Sequence, residues 1–338
     1  MTGLSCIILA AGEGTRMQSK IPKVLSEILF KPMLGWVLDS VRQASINDIC
    51  VIIGHKNEMV VEYLLNHGYN CEISIQSERK GTAHAVSCAA EFLKYHEQND
   101  VLIINGDTPF MDVNSILKAH EKHIKNNNAV TVVTADVDVS YGYGRILRQN
   151  DNIQSIIEEC DATDEQKKIK EINSGTYWFN SQKLLEYLKL VKPSAIGEYY
   201  LTSIIKLFIN NNQKVGTYRA KNAIIALGAN DPEQLKILNN IAKMQVIQRF
   251  KEQGIYIPYE ENVIIGKDVQ IGEGTMILSD VTIRDTIIGK NCIIGPESSI
   301  QGQNIADNTQ VIFQNLVIDS VNHSVYSMDT TANKVSIF

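Results

Sequence analysis

The sequence has little of what several protein classes require. Among 338 residues it contains 2 tryptophans, 7 prolines and 6 cysteines, and no two cysteines form a Cys-x-x-Cys pair. This spacing argues against a zinc or disulfide framework. Cys6, Cys50 and Cys292 lie within apolar runs, which predicts buried thiols in a reducing cytosol. We therefore expect a cytoplasmic protein.

Long apolar runs and an excess of positive charge are also missing. The longest apolar stretches, such as residues 49–53, are far shorter than the ~20 residues of a membrane span. No basic region precedes Cys6, so no signal peptide is expected. The net charge of −6 provides no basic field for a nucleic acid. Neither a membrane nor a nucleic acid is an expected partner, and local groups must hold any anionic ligand.

Alternating strand-like and amphipathic segments make up most of the chain. The length exceeds the roughly 250–300 residues that one core usually supports, so we expect two domains. An amphipathic segment at residues 33–44 lies among strand-like runs at residues 5–9, 48–53, 72–75, 101–104 and 130–135. This order predicts an α/β domain over residues 1–230, with a Rossmann-like, mostly parallel sheet between helices. Ligands of such sheets bind beyond the carboxyl ends of the strands.

The pattern changes after residue 230. Asp231 and Pro232 favour the start of a long helix over residues 231–254, with Gly254 as its stop. In residues 255–338, isoleucines recur mostly every six positions and are often followed by glycine, at 265, 271, 277, 283, 288, 294 and 300. An antiparallel meander is the alternative, but its period of two would not keep glycines in phase with a period of six. The repeat predicts a short parallel β-helix.

A glycine loop follows the first strand. Gly12 and Gly14 allow backbone N–H groups to approach phosphate oxygens, although alone they are a weak signal. The spacing matches neither the dinucleotide fingerprint nor the P-loop. Thr15, Arg16 and Lys23 add polar and cationic groups, and Pro22 stiffens the segment that presents Lys23. A cation held firmly beside a glycine loop suits a polyphosphate.

Six further motifs follow this loop in a characteristic order. They are QSERKGTAHA (76–85), NGDTPF (105–110), GYGRI (142–146), IIEECDATDEQ (156–166), EINSGTY (171–177) and GEYYLT (197–202). With the loop and the PKVL that follows it, this set resembles the sugar-nucleotide pyrophosphorylases, in particular the bacterial N-acetylglucosamine-1-phosphate uridylyltransferases, which form the N-terminal half of a bifunctional enzyme. The motifs cover about the first 230 residues. The hexapeptide tail resembles the beginning of that family's left-handed β-helix.

The resemblance implies an enzyme that makes UDP-N-acetylglucosamine and pyrophosphate from UTP and N-acetylglucosamine 1-phosphate with Mg²⁺. The substrate-binding positions that it implies are Leu9, Ala10, Ala11, Gly12, Gly14, Thr15, Lys23, Gln76, Gly81, Thr82, Asn105, Gly106, Asp107, Gly144, Glu158, Asn173 and Asn230. Gln76, Gly81 and Thr82 would lie near the uracil, and Gly144, Glu158 and Asn173 would hold the acetamido sugar. Arg16, Lys23 and Asp107 would be catalytic, with Asp107 and Asn230 as metal ligands.

Several of these positions have structural alternatives. Asp107 in GDTP suits a turn or a helix cap, and GYGRI suits a β-turn. Asn230 could instead cap the helix that follows it, and Asp231 could serve either role. Tyr199 and Tyr200 could line the sugar pocket, but two tyrosines on an amphipathic helix are more often core residues. Asn105 departs from the tyrosine that is common in the relatives.

The resemblance also implies a homotrimer, because short left-handed β-helices of this family usually pack three abreast. We expect no acetyltransferase activity, since the repeat up to about Val317 makes only about three coils and His323 matches no acetyl-transfer motif. Two alternatives to the implied reaction remain. One is a nucleotidyltransferase for another sugar 1-phosphate or for dTTP, and the other is a sugar-nucleotide-binding protein without turnover.

Overall fold

A computed structural model of the chain describes residues 3–12, 14–17, 19–54, 57–195, 197–311, 317–318, 325–329 and 334–337. It divides into two compact units, Met1–Ser26 with Pro32–Gln234, and Glu27–Lys31 with Leu235–Phe338. No pattern in the sequence predicted that the segment Glu27–Lys31 belongs to the same unit as the C-terminal part of the chain. Within the described part of the chain, no helix combines the length and the apolar character needed to span a bilayer.

The first unit is built around a mixed sheet. Up to residue 219 the strands are β1 (Leu4–Ala10), β2 (Glu27–Ile28), β3 (Lys31–Pro32), β4 (Asp48–Ile53), β5 (Glu72–Ile75), β6 (Asp100–Asn105), β7 (Val130–Asp136), β8 (Arg145–Gln149), β9 (Asn152–Ile157), β10 (Glu171–Asn180) and β11 (Val215–Arg219). Of these, β2 and β3 form a separate two-stranded sheet, and residues 27–31 belong to the second unit. The main path of this sheet has the order β11-β7-β10-β6-β1-β4-β5, and β8 joins β10 to β9. The pairs β6-β1, β1-β4, β4-β5 and β7-β11 are parallel. Strand β10 runs antiparallel to both β6 and β7.

Helices cover both faces of this sheet. They are α1 (Met33–Gln43), α2 (Asn57–Asn66), α3 (Thr82–Cys88), α4 (Ala90–Tyr95), α5 (Val113–Lys125), α6 (Asp164–Lys167), α7 (Ser181–Leu188) and α8 (Ser203–Asn210). Successive residues of β1 point to opposite faces, so Ile8 joins a core with Val37 of α1, while Ile7 joins a second core with Phe92 of α4. The buried strands, and the helices that cover both faces of the sheet, confirm the predicted α/β class.

The second unit contains the predicted repeat. After helix α9 (Pro232–Glu252) come β12 (Val263–Ile265), β13 (Gln270–Ile271), β14 (Met276–Ile277), β15 (Val281–Arg284), β16 (Ile287–Ile288), β17 (Ile293–Ile294), β18 (Ser299–Gln301), β19 (Asn304–Ile305) and β20 (Gln310–Val311). They form three parallel sheets, β12-β15-β18, β13-β16-β19 and β14-β17-β20. Ile265, Ile283 and Ile300 stack in one sheet and are buried. Three strands in each sheet confirm about three coils.

Strands β21 (Val317–Ile318), β22 (Val325–Asp329) and β23 (Lys334–Ile337) follow and pair antiparallel. His323 lies outside the described residues. The placement of Tyr199 and Tyr200 on a helix was wrong, because both lie in an irregular segment and α8 begins only at Ser203. Cys6, Cys50 and Cys292 are buried free thiols, as predicted.

Candidate active site

Three side chains from distant parts of the sequence meet beyond the carboxyl end of β6. Asp107 follows this strand, Lys23 begins the helical turn Lys23–Leu25, and Asn230 precedes α9. The Nζ atom of Lys23 donates to Asn230 Oδ1 at 2.7 Å and forms an ion pair with the Asp107 carboxylate. Lys23 is only 9% exposed, so these oxygens replace the water that its ammonium loses on burial. We call Lys23, Asp107 and Asn230 the Lys23 cluster.

Two glycines allow the Lys23 cluster to form. Gly14 has a φ of +63°, and a Cβ atom there would lie 2.5 Å from Lys23 Cβ. A Cβ atom on Gly228 would lie 2.9 Å from the Asp107 carbonyl oxygen. Any side chain at either position would push these segments apart. Gly14 therefore places the stem of Lys23, and Gly228 places the segment that carries Asn230.

The structure shows which of the candidate side chains cap a helix. Asp231 Oδ1 accepts the N–H of Gln234 at 2.8 Å, so Asp231 makes the capping contact at the start of α9. The side-chain nitrogen of Asn230 donates to Gln234 Oε1 at 3.3 Å, which leaves Asn230 Oδ1 for Lys23. Asp112, and not Asp107, caps α5. The oxygens of Asp107 and Asn230 therefore remain directed at the Lys23 ammonium.

The predicted nucleotide loop leaves β1 beside this cluster. The N–H of Gly106 donates to Leu9 O at 2.9 Å, which ties the ends of β1 and β6 together. A Cβ atom on Gly12 would meet nothing within 4 Å, so the backbone there faces open space. Arg16 is exposed in the turn Thr15–Met17, and no described contact joins it to the Lys23 cluster. The side chain of Thr15 lies outside the description.

The residues predicted to bind the base lie together at the start of α3. Gln76 is buried, and its Nε2 atom donates to Gly81 O at 3.1 Å. Gly81 has a φ of +99°, and a Cβ atom there would lie 2.6 Å from the carbonyl oxygen of Tyr199. The N–H of Leu201 donates to Thr82 Oγ1 at 2.9 Å. The backbone at Tyr199 and Leu201 thus packs against the predicted base site.

The three residues predicted to hold the sugar also converge. The N–H of Asn173 donates to Gly144 O at 2.9 Å. A Cβ atom on Gly144 would lie 3.3 Å from Glu158 Oε2 and 3.6 Å from Asn173 Cβ. Burial raises the pKa of Glu158, and a hydrogen bond from the Thr202 hydroxyl at 2.7 Å opposes that rise. The site can therefore offer a backbone group, a carboxylate and an amide to the hydroxyl and acetamido groups of a sugar.

Two neighbours of this group, Thr202 and Tyr177, were not predicted as site residues. Thr202 donates to Glu158, and the Tyr177 hydroxyl accepts from Asn173 Nδ2 at 2.6 Å. Thr202 lies in the motif GEYYLT and Tyr177 in the motif EINSGTY, both of which carry the resemblance. Their place in these motifs is the only sequence feature that could have identified them as site residues. They orient the carboxylate and the amide that face the predicted sugar pocket.

Asn105, the departure from the relatives, lies against the same pocket. Its Nδ2 atom would be 2.2 Å from a Cβ atom on Gly175, whose φ is +77°. The N–H of Gly175 donates in turn to Asn173 Oδ1 at 3.1 Å. Asn105 therefore packs on the turn that holds Asn173.

The Lys23 cluster fits a divalent cation. Asp107 and Asn230 present hard oxygen ligands, and in the structure they already hold a cation, the Lys23 ammonium. Magnesium commonly takes one or two protein oxygens and completes its shell with phosphates and water. Within the described ranges, no three histidine, cysteine or acidic side chains are grouped to hold a metal by themselves. A metal here would depend on the ligand bound beside it.

Two family models match the chain. The model described as Nucleotidyl transferase matches residues 5–224, which include nearly all of the predicted site. The model described as Bacterial transferase hexapeptide (six repeats) matches residues 268–302, within the parallel coils.

Similar proteins and structures agree with these matches. The chain is 39% identical over 311 residues to the Bifunctional protein GlmU of Fervidobacterium nodosum, covering 91% of this chain and 66% of the relative. Its identity to the Bifunctional protein GlmU of Caldanaerobacter subterraneus is 36%, covering 96% and 70% of the two chains. The chain thus spans about two thirds of the length of these relatives. A Bacillus anthracis crystal structure, described as a glucose-1-phosphate thymidylyltransferase in complex with a sucrose, has a TM-score of 0.60 at 25% identity and covers 71% of this chain and 95% of its own.

Proposed function

Because the chain belongs to the nucleotidyl transferase family, we propose that it is a uridylyltransferase that makes UDP-N-acetylglucosamine and pyrophosphate from UTP and N-acetylglucosamine 1-phosphate. The observation that carries this proposal is the Lys23 cluster, which places a buried ammonium, a carboxylate and an amide oxygen beside the open loop at Gly12. A cation between oxygen ligands at the carboxyl edge of the sheet suits a triphosphate and its metal.

The proposed reaction is a direct displacement at phosphorus. An oxygen of the sugar phosphate, already anionic at neutral pH, forms a bond to the α-phosphorus of UTP. The bond from that phosphorus to the bridging oxygen breaks, and pyrophosphate leaves with the electron pair. No general base is needed, so the protein contributes alignment and charge neutralisation. Lys23 would stabilise the phosphate oxygens from within the cluster, and Arg16 would do so from the loop.

Magnesium is the proposed cofactor. Asp107 and Asn230 would hold it, and when bound it supplies positive charge to the phosphate oxygens. The Lys23 ammonium is already within reach of the same two side chains, so cation and phosphate would meet at one place. The lack of a side chain at Gly14 and Gly228 lets the segments that carry Lys23 and Asp107 approach their neighbours closely.

Sugar and base would be held at separate parts of the site. Gly144, Glu158 and Asn173 converge on one pocket, while Gln76, Gly81 and Thr82 form another group beside α3. The segment 199–202 contacts both groups, through the Tyr199 backbone at Gly81 and the Thr202 hydroxyl at Glu158. This connection supports one extended nucleotide-sugar site.

A substrate panel with pyrophosphate release as the readout tests the proposed specificity. With Mg²⁺ present, we expect the highest kcat/KM for UTP with N-acetylglucosamine 1-phosphate, and we expect chelation with EDTA to abolish turnover. The thymidylyltransferase description of the similar structure makes dTTP with glucose 1-phosphate the sharpest comparison. Equal or better turnover with either of these substrates would contradict the sugar or the base assignment.

Acetyl transfer is a separate expectation. The resemblance implies a catalytic histidine for that reaction, and residues 263–311 of the parallel coils contain no histidine. We expect no thiol release when the protein is incubated with acetyl-CoA and glucosamine 1-phosphate. Thiol release that is lost in His323→Ala would contradict this expectation.

The coils also support the proposal that the protein is a homotrimer, as in other hexapeptide-repeat proteins of the family.

A further inference from the structure

Arg145 is a buried charge next to the proposed sugar site. It is the first residue of β8 and only 1% exposed. Its Nε atom has no hydrogen-bond partner among the described residues. A buried guanidinium is costly unless other groups compensate its charge, so the contacts that it does make are informative.

Glu159 supplies that compensation from a neighbouring turn. Its Oε2 atom accepts from the Arg145 guanidinium at 2.6 Å and from the N–H of Gly142 at 3.0 Å. Arg145 also donates to the carbonyl oxygen of Tyr143. We call these four residues the Glu159 clasp, because one carboxylate and one guanidinium join the loop before β8 to the turn Glu159–Asp161 after β9.

Two of the proposed sugar-binding positions, Gly144 and Glu158, are direct sequence neighbours of clasp residues. Gly144 lies between Tyr143 and Arg145, and Glu158 directly precedes Glu159. The Glu158 carboxylate lies beside Gly144. We propose that Arg145 and Glu159 are positioning residues for the sugar phosphate, holding Gly144 and Glu158 at the spacing that the sugar requires. This inference rests on the proposed function, since that function assigns the sugar to Gly144 and Glu158.

Glu159 is well suited to a test because it is not a core residue. Its side chain is 23% exposed, and glutamine has nearly the same shape, so Glu159→Gln removes the charge without opening a cavity. The hydrogen bond from Gly142, followed by that from Arg145, lowers the pKa of Glu159. A glutamate with a lowered pKa keeps its charge until the pH falls below the usual range of a free glutamate. Substitution therefore removes the charge more cleanly than acidification.

The experiment compares steady-state kinetics of the wild-type chain of 338 residues and its Glu159→Gln variant. We expect KM for N-acetylglucosamine 1-phosphate to rise about tenfold, because the variant loses a charge-assisted contact. Both kcat and KM for UTP should stay within about twofold, because no hydrogen bond or ion pair among the described residues joins Arg145 or Glu159 to the Lys23 cluster or to the base site. Arg145→Lys keeps a cation but loses the forked geometry, and should change the same KM in the same direction.

Glu165→Gln is the matched control, since Glu165 pairs with Lys168 on the exposed surface of α6. It should leave all three parameters unchanged, and circular dichroism should show that every variant is folded. An unchanged KM for the sugar phosphate in folded Glu159→Gln, or an equal rise in both KM values, would overturn the clasp proposal. Wild-type protein that turns over no sugar phosphate would instead overturn the proposed function and the clasp with it.

Discussion

Replacing Asp107 by alanine is expected to lower turnover by about 10²-fold or more, the usual effect of losing an electrostatic stabiliser of a transition state. Asp107 contributes the one carboxylate in the Lys23 cluster, so its removal takes away the charged oxygen ligand proposed for Mg²⁺. Asp107→Asn keeps the shape and an oxygen acceptor but removes the charge. It should therefore lose nearly as much activity as the alanine variant.

The protein should remain folded in both variants. The Asp107 side chain is 21% exposed at the edge of the sheet, and Asn230 still accepts the hydrogen bond from Lys23. Circular dichroism and thermal melting check the fold, and electron paramagnetic resonance of bound Mn²⁺ measures metal affinity without turnover. We expect weaker Mn²⁺ binding in both variants. A folded variant with a turnover near that of the wild type would remove Asp107 from the active site.

Replacing Lys23 by alanine is expected to cost a similar factor, about 10²-fold or more in turnover. Here the lost group is the cation that would stabilise the phosphate oxygens. Lys23→Met is the sharper variant, because it keeps most of the aliphatic stem that packs on Gly14 and removes only the ammonium. If charge is what matters, the two variants should be about equally impaired.

Metal affinity separates this effect from that of Asp107. The Lys23 ammonium contacts the same two oxygens that would hold the metal, so its removal frees them. We expect Mn²⁺ to bind Lys23→Met at least as tightly as the wild type, whereas Asp107→Asn binds it less tightly. Weaker Mn²⁺ binding in folded Lys23→Met would show that Lys23 does not compete with the cation. Near-normal turnover in that variant would exclude Lys23 from the reaction.

Local patterns in the sequence predicted the elements of this fold well. The apolar run at residues 5–9 became β1, and the amphipathic stretch at 33–44 became α1. The segment with the isoleucine period of six forms three parallel sheets, each with one strand from every coil. These predictions succeed because burial on one face of a helix, strand or coil imposes a spacing that can be read within one segment.

Other features depended on groups far apart in the chain. The motif EINSGTY lies within β10, but nothing in the sequence predicted this strand or its antiparallel insertion between β6 and β7. Nothing in the sequence assigned residues 27–31 to the second unit. The sequence does not distinguish Asn230 from Asp231 as the helix cap, whereas in the structure Asp231 Oδ1 accepts the N–H of Gln234. Each of these outcomes follows from the path of the backbone, which sets distances that sequence spacing does not encode.

The sequence by itself determined the α/β class, the hexapeptide coils and the identity of the candidate site residues, because each is encoded in a contiguous motif or a regular period. Only the tertiary structure decided which of those residues meet. Lys23 and Asn230 are 207 positions apart and share a hydrogen bond, and Glu159 reaches back to Arg145. A buried charge is stabilised by whichever oxygen the fold brings within reach, and that choice is made in three dimensions.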